Sequence, residues 1–155
     1  MWSHYANNHA GALLVFAPRS NDSQFRIAKP VEYHDALPVL FENNKFAQLI
    51  TGQISMDDDS SIEDSFDRIT LTKALTWKYE KEWRIVGGDG FHPDKEVETN
   101  QFHTDDLEAV IFGARFSSDL MKPMVGCARQ FYPKTKWYQS KMSKTRFGLE
   151  LENIT

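Results

Sequence analysis

The apolar residues of this chain come in short runs cut off by proline or glycine, and this bounds the elements it can build. "ALLVF", Ala12 to Phe16, stops at Ala17-Pro18, and "LEAVIF", Leu107 to Phe112, is closed by Gly113. Runs of this length between turn residues read as buried strands. Neither approaches the roughly 18 apolar residues of a membrane-spanning helix, and the start carries no basic region followed by an apolar signal stretch. With 155 residues, 41% hydrophobic and 13% aromatic, there is material for one core, so a single domain over residues 1–155 is expected. A net charge of −4 without a Lys/Arg-rich stripe gives nucleic acid no support as a partner; no membrane partner is implied, and a cytoplasmic protein is expected. Cys127 is the lone cysteine, which excludes an internal disulfide and a cysteine zinc cluster.

Periodicity fills in the rest. "APRSNDS" reads as a turn, and "QFRIAKPVEYH" alternates Phe25, Ile27, Val31 and Tyr33, predicting a strand bent or placed at an edge by Pro30 and paired with the first run as a hairpin. Pro38 to Gln53 predicts a short helix ending near Gly52. Ser60 or Ser61 caps a second helix, with Ile62, Phe66 and Ile69 on one face. Ser118 or Asp119 opens a third, with an apolar stripe of Leu120, Met124, Cys127, Ala128 and Phe131 and with Pro123 tolerable only in the first turn. Cys127 on that stripe reads as a small core residue. "VETNQFH", "TKWYQSKM" and "RFGLELENI" read as further strands. The expected fold is α+β, a mixed, mostly antiparallel sheet of about six or seven strands with about three helices.

Two clusters carry chemistry. In "MWSHYANNHAG", Trp2, His4, Tyr5, Asn8 and His9 combine flat stacking faces with groups that exchange protons near neutral pH, which suits a nucleotide or another planar ligand. The same residues also fit an ordinary helix start whose aromatics pack on the sheet. In "KALTWKYEKEWR", Lys73, Trp77 and Glu80 share one face if a helix runs that far, whereas Glu80, Glu82 and Arg84 line one face if a strand begins earlier. Carboxylates crowded in a cleft can become an acid/base pair. On a solvated sheet face Glu82 and Arg84 would instead be an ion pair of little weight. No metal is expected: "MDDDSS" fits a capped loop, and His34, His92 and His103 lack ligand spacing. "GGDG" is a turn without a phosphate-loop pattern, and Ser3 has no nucleophile elbow around it.

The block "MWSHYANNHAG", followed by "LTKALTWKYEKEWRIV" and then "LEAVIFGARFSSDLM", resembles the bacterial family called domain of unknown function 2971. The resemblance runs from Met1 to about Ile154, and its most specific parts are Trp2-x-His4-Tyr5 with Gly11 and the set Lys73, Trp77, Glu80, Glu82 and Arg84. Members of that family usually begin with a further segment that is not seen before Met1, so the resemblance implies a domain incomplete at its N-terminus. The family's late Glu-x-Glu strand is similar in outline to that of ADP-ribosyltransferases. By that analogy Glu82 is the catalytic carboxylate, Glu80 its partner and Arg84 an orienting ion. Trp2, His4, Tyr5, His9, Lys73 and Trp77 are the ligand contacts. No resident cofactor is implied, and NAD enters as a substrate. A small nucleotide ligand and a homo-oligomer or partner chain are the partners the resemblance allows, and phage defence is one setting for them. A catalytically inert module that binds a nucleotide or a protein, or a half-domain completed by a partner, is the alternative.

Overall fold

The computed structural model describes residues 6–39, 48, 51, 53, 60–86 and 101–154, with side chains of the 60–86 segment from residue 65 onward. In chain order the described strands are β1 (Ala12–Phe16), β2 (Lys29–Pro30), β3 (Glu32–His34), β4 (Thr72–Ala74), β5 (Trp83–Arg84), β6 (Leu107–Phe112), β7 (Lys136–Met142) and β8 (Leu149–Asn153). The described α-helices are α1 (Ser60–Leu71) and α2 (Ser118–Phe131), with 3-10 turns at Gln24–Ile27, Leu75–Glu80 and Thr104–Asp106. The fold is α+β with mixed pairing. Its strands are divided among a four-stranded sheet ordered β1-β6-β7-β8 and the two-stranded ladders β2-β5 and β3-β4. The chain clusters into two compact units, Met1–Arg26 with Glu96–Thr155, and Ile27–Lys95.

In the first unit β6 is the spine of the sheet. It pairs antiparallel with β1 and parallel with β7, and β7 pairs antiparallel with β8. A parallel neighbour needs a crossover, and α2 supplies it. Leu107, Val110 and Phe112 of β6 meet Trp137 of β7 and Met121 and Val125 of α2, and Phe112 at 1% exposure is the centre of this core. The buried edge of α2 is therefore not the stripe expected from sequence. Leu120, Met124, Cys127 and Phe131 are exposed, and so Cys127 is not a core residue. The apolar residues of α2 cover a wide arc, and the sheet takes the edge carrying Met121 and Val125. Pro123 sits in the second turn rather than the first, and its ring has no N–H to give the Asp119 carbonyl.

Two further expectations are corrected here. β1 pairs with β6, far along the chain, and makes no hairpin with the segment that follows it. Gln24–Ile27 is a 3-10 turn, not a strand, and its Phe25 stacks on Phe16 at 4.2 Å. The turn before it is tied down by a buried carboxylate: Asp106 accepts the Arg19 N–H at 2.9 Å while its backbone carbonyl accepts that of Ala17 at 2.8 Å. The Ser23 hydroxyl, followed by that Arg19 N–H, holds the Asp106 carboxyl below its usual range.

Residues Ala6 to Gly11 do not begin a right-handed helix. Asn7, Asn8 and His9 have φ of 46°, 51° and 68°, three consecutive left-handed residues, and the turn closes with Gly11 N–H donating to the Ala6 carbonyl at 2.8 Å. Asparagine tolerates this region better than most residues, which explains the pair at 7 and 8. The turn docks on the end of β6, where the His9 carbonyl accepts the Arg115 N–H and the Gly11 carbonyl accepts the Gly113 N–H, both at 2.9 Å. Gly113 is required there because a Cβ would stand 2.0 Å from the His9 carbonyl oxygen. Gly113→Ala is expected to cost about 2 kcal/mol or more. The readouts are a lower urea midpoint and faster amide exchange at Gly11 and Arg115. An unchanged midpoint would contradict this close approach.

In the second unit α1 leads directly into β4, which lies parallel to β3 with Tyr33 opposite Lys73. β2 lies against β5, placing Lys29 opposite Arg84 and Pro30 opposite Trp83. Proline is accommodated because each ladder is two-stranded and needs no second bonding edge. Phe66 and Ile69 of α1 are exposed instead of forming its buried face, while Ser65 and Leu71 are buried. Most of the helix expected at Pro38 to Gln53, the "MDDD" part of "MDDDSS", the "GGDG" turn and most of "VETNQFH" lie outside the described residues.

Candidate functional site

The second unit gathers Lys73, Trp77, Glu80, Glu82 and Arg84, and it does so by a route neither sequence pattern anticipates. Lys73 lies on β4, and the chain then makes a 3-10 turn from Leu75 to Glu80. Lys81 follows in the left-handed region, at φ 48° and ψ 48°. That one residue reverses the chain, so Glu80 before it and Glu82 after it both face Lys73. The Lys73 ammonium donates to Oε2 of Glu80 and, at 2.9 Å, to Oε2 of Glu82. It also lies 5.0 Å from the centre of the Trp77 ring, within cation–π range.

Glu82 is gripped from the other side by Arg84, whose Nε donates to Oε1 at 2.7 Å and whose Nη2 donates to Oε2 at 3.2 Å. Arg84 Nη1 donates to the Thr70 carbonyl at the end of α1. The backbone of Glu82 is fixed as well. Its N–H donates to the Tyr33 hydroxyl at 2.8 Å and its carbonyl accepts the Val31 N–H at 2.9 Å. The contribution of Tyr33 was not visible in sequence, where it only continues an apolar alternation.

Two cations and two carboxylates make the cluster neutral, and they lie inward of the aromatics. The Glu80 side chain is only 6% exposed, whereas Trp83 is 64% exposed. Trp77 covers Lys73, and Trp83 points away to solvent. The hydrogen bonds from Arg84, helped by those from Lys73, outweigh burial and hold the Glu82 carboxyl at about 2, against an ordinary 4.5. Glu80 first and Glu82 second push the Lys73 ammonium above its ordinary range, and Glu82 does the same to Arg84. Because the folded-state value of Glu82 is depressed, its contribution to stability is complete above about pH 4.5 and is lost as pH falls toward about 2. At neutral pH Glu82 is thus a fixed negative charge and no proton donor.

Beside the cluster opens a cavity of about 390 Å³, walled by the 34–38 segment, by Ile69 of α1 and by β4, with Lys73 common to both. Among the described residues no group of three or more His, Cys, Asp or Glu is placed to hold a metal ion, and no helix is long and apolar enough to cross a membrane. Of the other sequence candidates, His9 sits on the left-handed turn of the first unit, and Trp2, His4 and Tyr5 lie outside the described residues.

Residues 1–85 match the family model described as Protein of unknown function (DUF2971). The chain belongs to this family. The match covers more than half of the chain and ends one residue after Arg84, so the DUF2971 span contains every candidate residue of both clusters. The block from Leu107 to Met121 lies outside it. Neither a curated protein nor a solved structure matches the chain.

Proposed function

We propose that this DUF2971 domain binds NAD or a similar nucleotide at the Lys73–Glu82 cluster and cleaves it in the manner of an ADP-ribosyltransferase, with Glu82 as the catalytic carboxylate. The observation that carries the reading is the clamp on Glu82: a carboxylate held ionised and fixed through both its side chain and its backbone, and hydrogen-bonded to Lys73, which also lines a cavity of ligand size. When a nicotinamide-type leaving group departs from ribose, positive charge grows on the sugar, and a preorganised negative charge lowers that barrier without having to reorient. Glu80, Lys73 and Arg84 are positioning residues in this scheme, since they act through Glu82. Nicotinamide release from NAD, followed in the wild type and in Glu82→Gln, is the test. Equal rates in the two would sink the assignment.

A second reading, binding without turnover, is favoured by one specific feature. Both Glu82 oxygens already accept hydrogen bonds from Arg84 and Lys73, which leaves less of the carboxylate for a substrate. Calorimetric binding of NAD with no nicotinamide released would select it.

A further inference from the structure

The cavity beside the cluster has a chemical preference of its own. Its wall is largely apolar, from Ala36, Leu37, Pro38, Ile69 and Ala74. Lys73 contributes its stem, because its ammonium is drawn to Glu80 and Glu82. The nearby Arg68 guanidinium donates to the Val39 carbonyl at 3.2 Å, and His34 faces the Glu32 carboxylate at 3.2 Å. Asp35 also lines the cavity, and it makes no ion pair among the described residues. A phosphate or carboxylate entering here would meet largely apolar walls, Thr72, Asp35 and a His34 ring drawn to Glu32, with the lining ammonium already committed to two carboxylates.

We propose that this cavity receives a flat heteroaromatic ring that is neutral or positively charged, with Asp35 selecting for the charge or for a ring-borne N–H donor, and that it excludes anionic rings and phosphate. This deepens the NAD reading and rests on it for the kind of ring, assigning the cavity to the base or pyridinium end of the ligand and placing the phosphates elsewhere. The apolar walls supply contact area to the ring faces, and Asp35 supplies a single unit charge at an exposed site. Such a charge favours an adjacent cation over a neutral ring by about five-fold, and by less as salt is added.

The test uses one ring in three charge states: nicotinamide, 1-methylnicotinamide and nicotinate, titrated into the full chain and followed by NMR. The expected order is 1-methylnicotinamide tighter than nicotinamide, with nicotinate at least about five-fold weaker than the neutral ring. Asp35→Asn should bring the three toward equal affinity, and Ala74→Trp should remove binding by filling the cavity from an exposed position. Nicotinate or inorganic phosphate binding as tightly as the cation, charge selectivity unchanged in Asp35→Asn, or no binding of any of the three rings would overturn the proposal. NAD cleavage that depends on Glu82, combined with ring binding indifferent to Asp35, would overturn this assignment and leave the function standing. Asp35-dependent ring selectivity without any NAD binding would do the reverse.

Discussion

Glu82→Gln is expected to lower kcat for NAD cleavage at least ~100-fold while leaving KM within a few-fold of the wild type. The size follows from what the substitution removes. Glutamine has nearly the shape of glutamate and keeps one carbonyl oxygen for Arg84 Nε, so the backbone clamp from Tyr33 and Val31 should stay in place. What disappears is the fixed negative charge, and a preorganised charge aimed at a transition state is worth roughly 10²–10³ in rate. Its interaction is made with charge that develops during bond breaking, so kcat falls and KM does not. A parallel rise in KM would mean that Glu82 holds the bound substrate. Steady-state nicotinamide release at several NAD concentrations separates the two, with thermal melting as the check on folding.

Lys73→Met should have the largest effect on stability, lowering Tm by roughly 10 °C or more. Methionine keeps the stem that lines the cavity and deletes the ammonium. The Glu80 carboxylate, 6% exposed, then loses the cation that it meets in the wild type, and the Trp77 ring loses its cation–π contact. Removing one member of a buried ion pair costs more than the pair contributes, because the remaining charge loses the attraction that offset its desolvation. The double substitution Lys73→Met with Glu80→Gln should therefore recover much of the loss, which a thermal-denaturation double-mutant cycle measures. Additive losses would mean that Glu80 does not depend on Lys73.

The strands β1, β6, β7 and β8 and the helix α2 were legible in sequence because each is an apolar run or stripe bounded by turn residues. Their pairing was not, since β1 finds β6 more than ninety residues away and no local pattern encodes that choice. Phe25 and Ile27 show how short patterns mislead: two apolar residues two apart suit a strand and a 3-10 turn alike. In α2 the apolar arc spans both Leu120-Met124-Phe131 and Met121-Val125, and only the sheet it meets decides which edge is buried. The candidate site was legible as a set of residue types and not as a geometry. Lys73, Glu80, Glu82 and Arg84 were all identified, yet their convergence depends on the left-handed Lys81, a conformation lysine does not advertise. Similarly, a helix start was one of the two readings of the cluster that includes Asn8 and His9, and the left-handed turn found at Asn7, Asn8 and His9 is held by contacts with Gly113 and Arg115.

The central claim is that Glu82 is a carboxylate fixed in its ionised state by Arg84 and Lys73. A carboxyl-carbon NMR titration of the 13C-glutamate-labelled chain, with the Glu82 resonance assigned by its loss in Glu82→Gln, tests it most directly. The predicted midpoint is about 2, with no inflection between neutral pH and 4. A midpoint near the ordinary 4.5 would show that the clamp does not act on the carboxylate, and the catalytic assignment of Glu82 would lose its foundation.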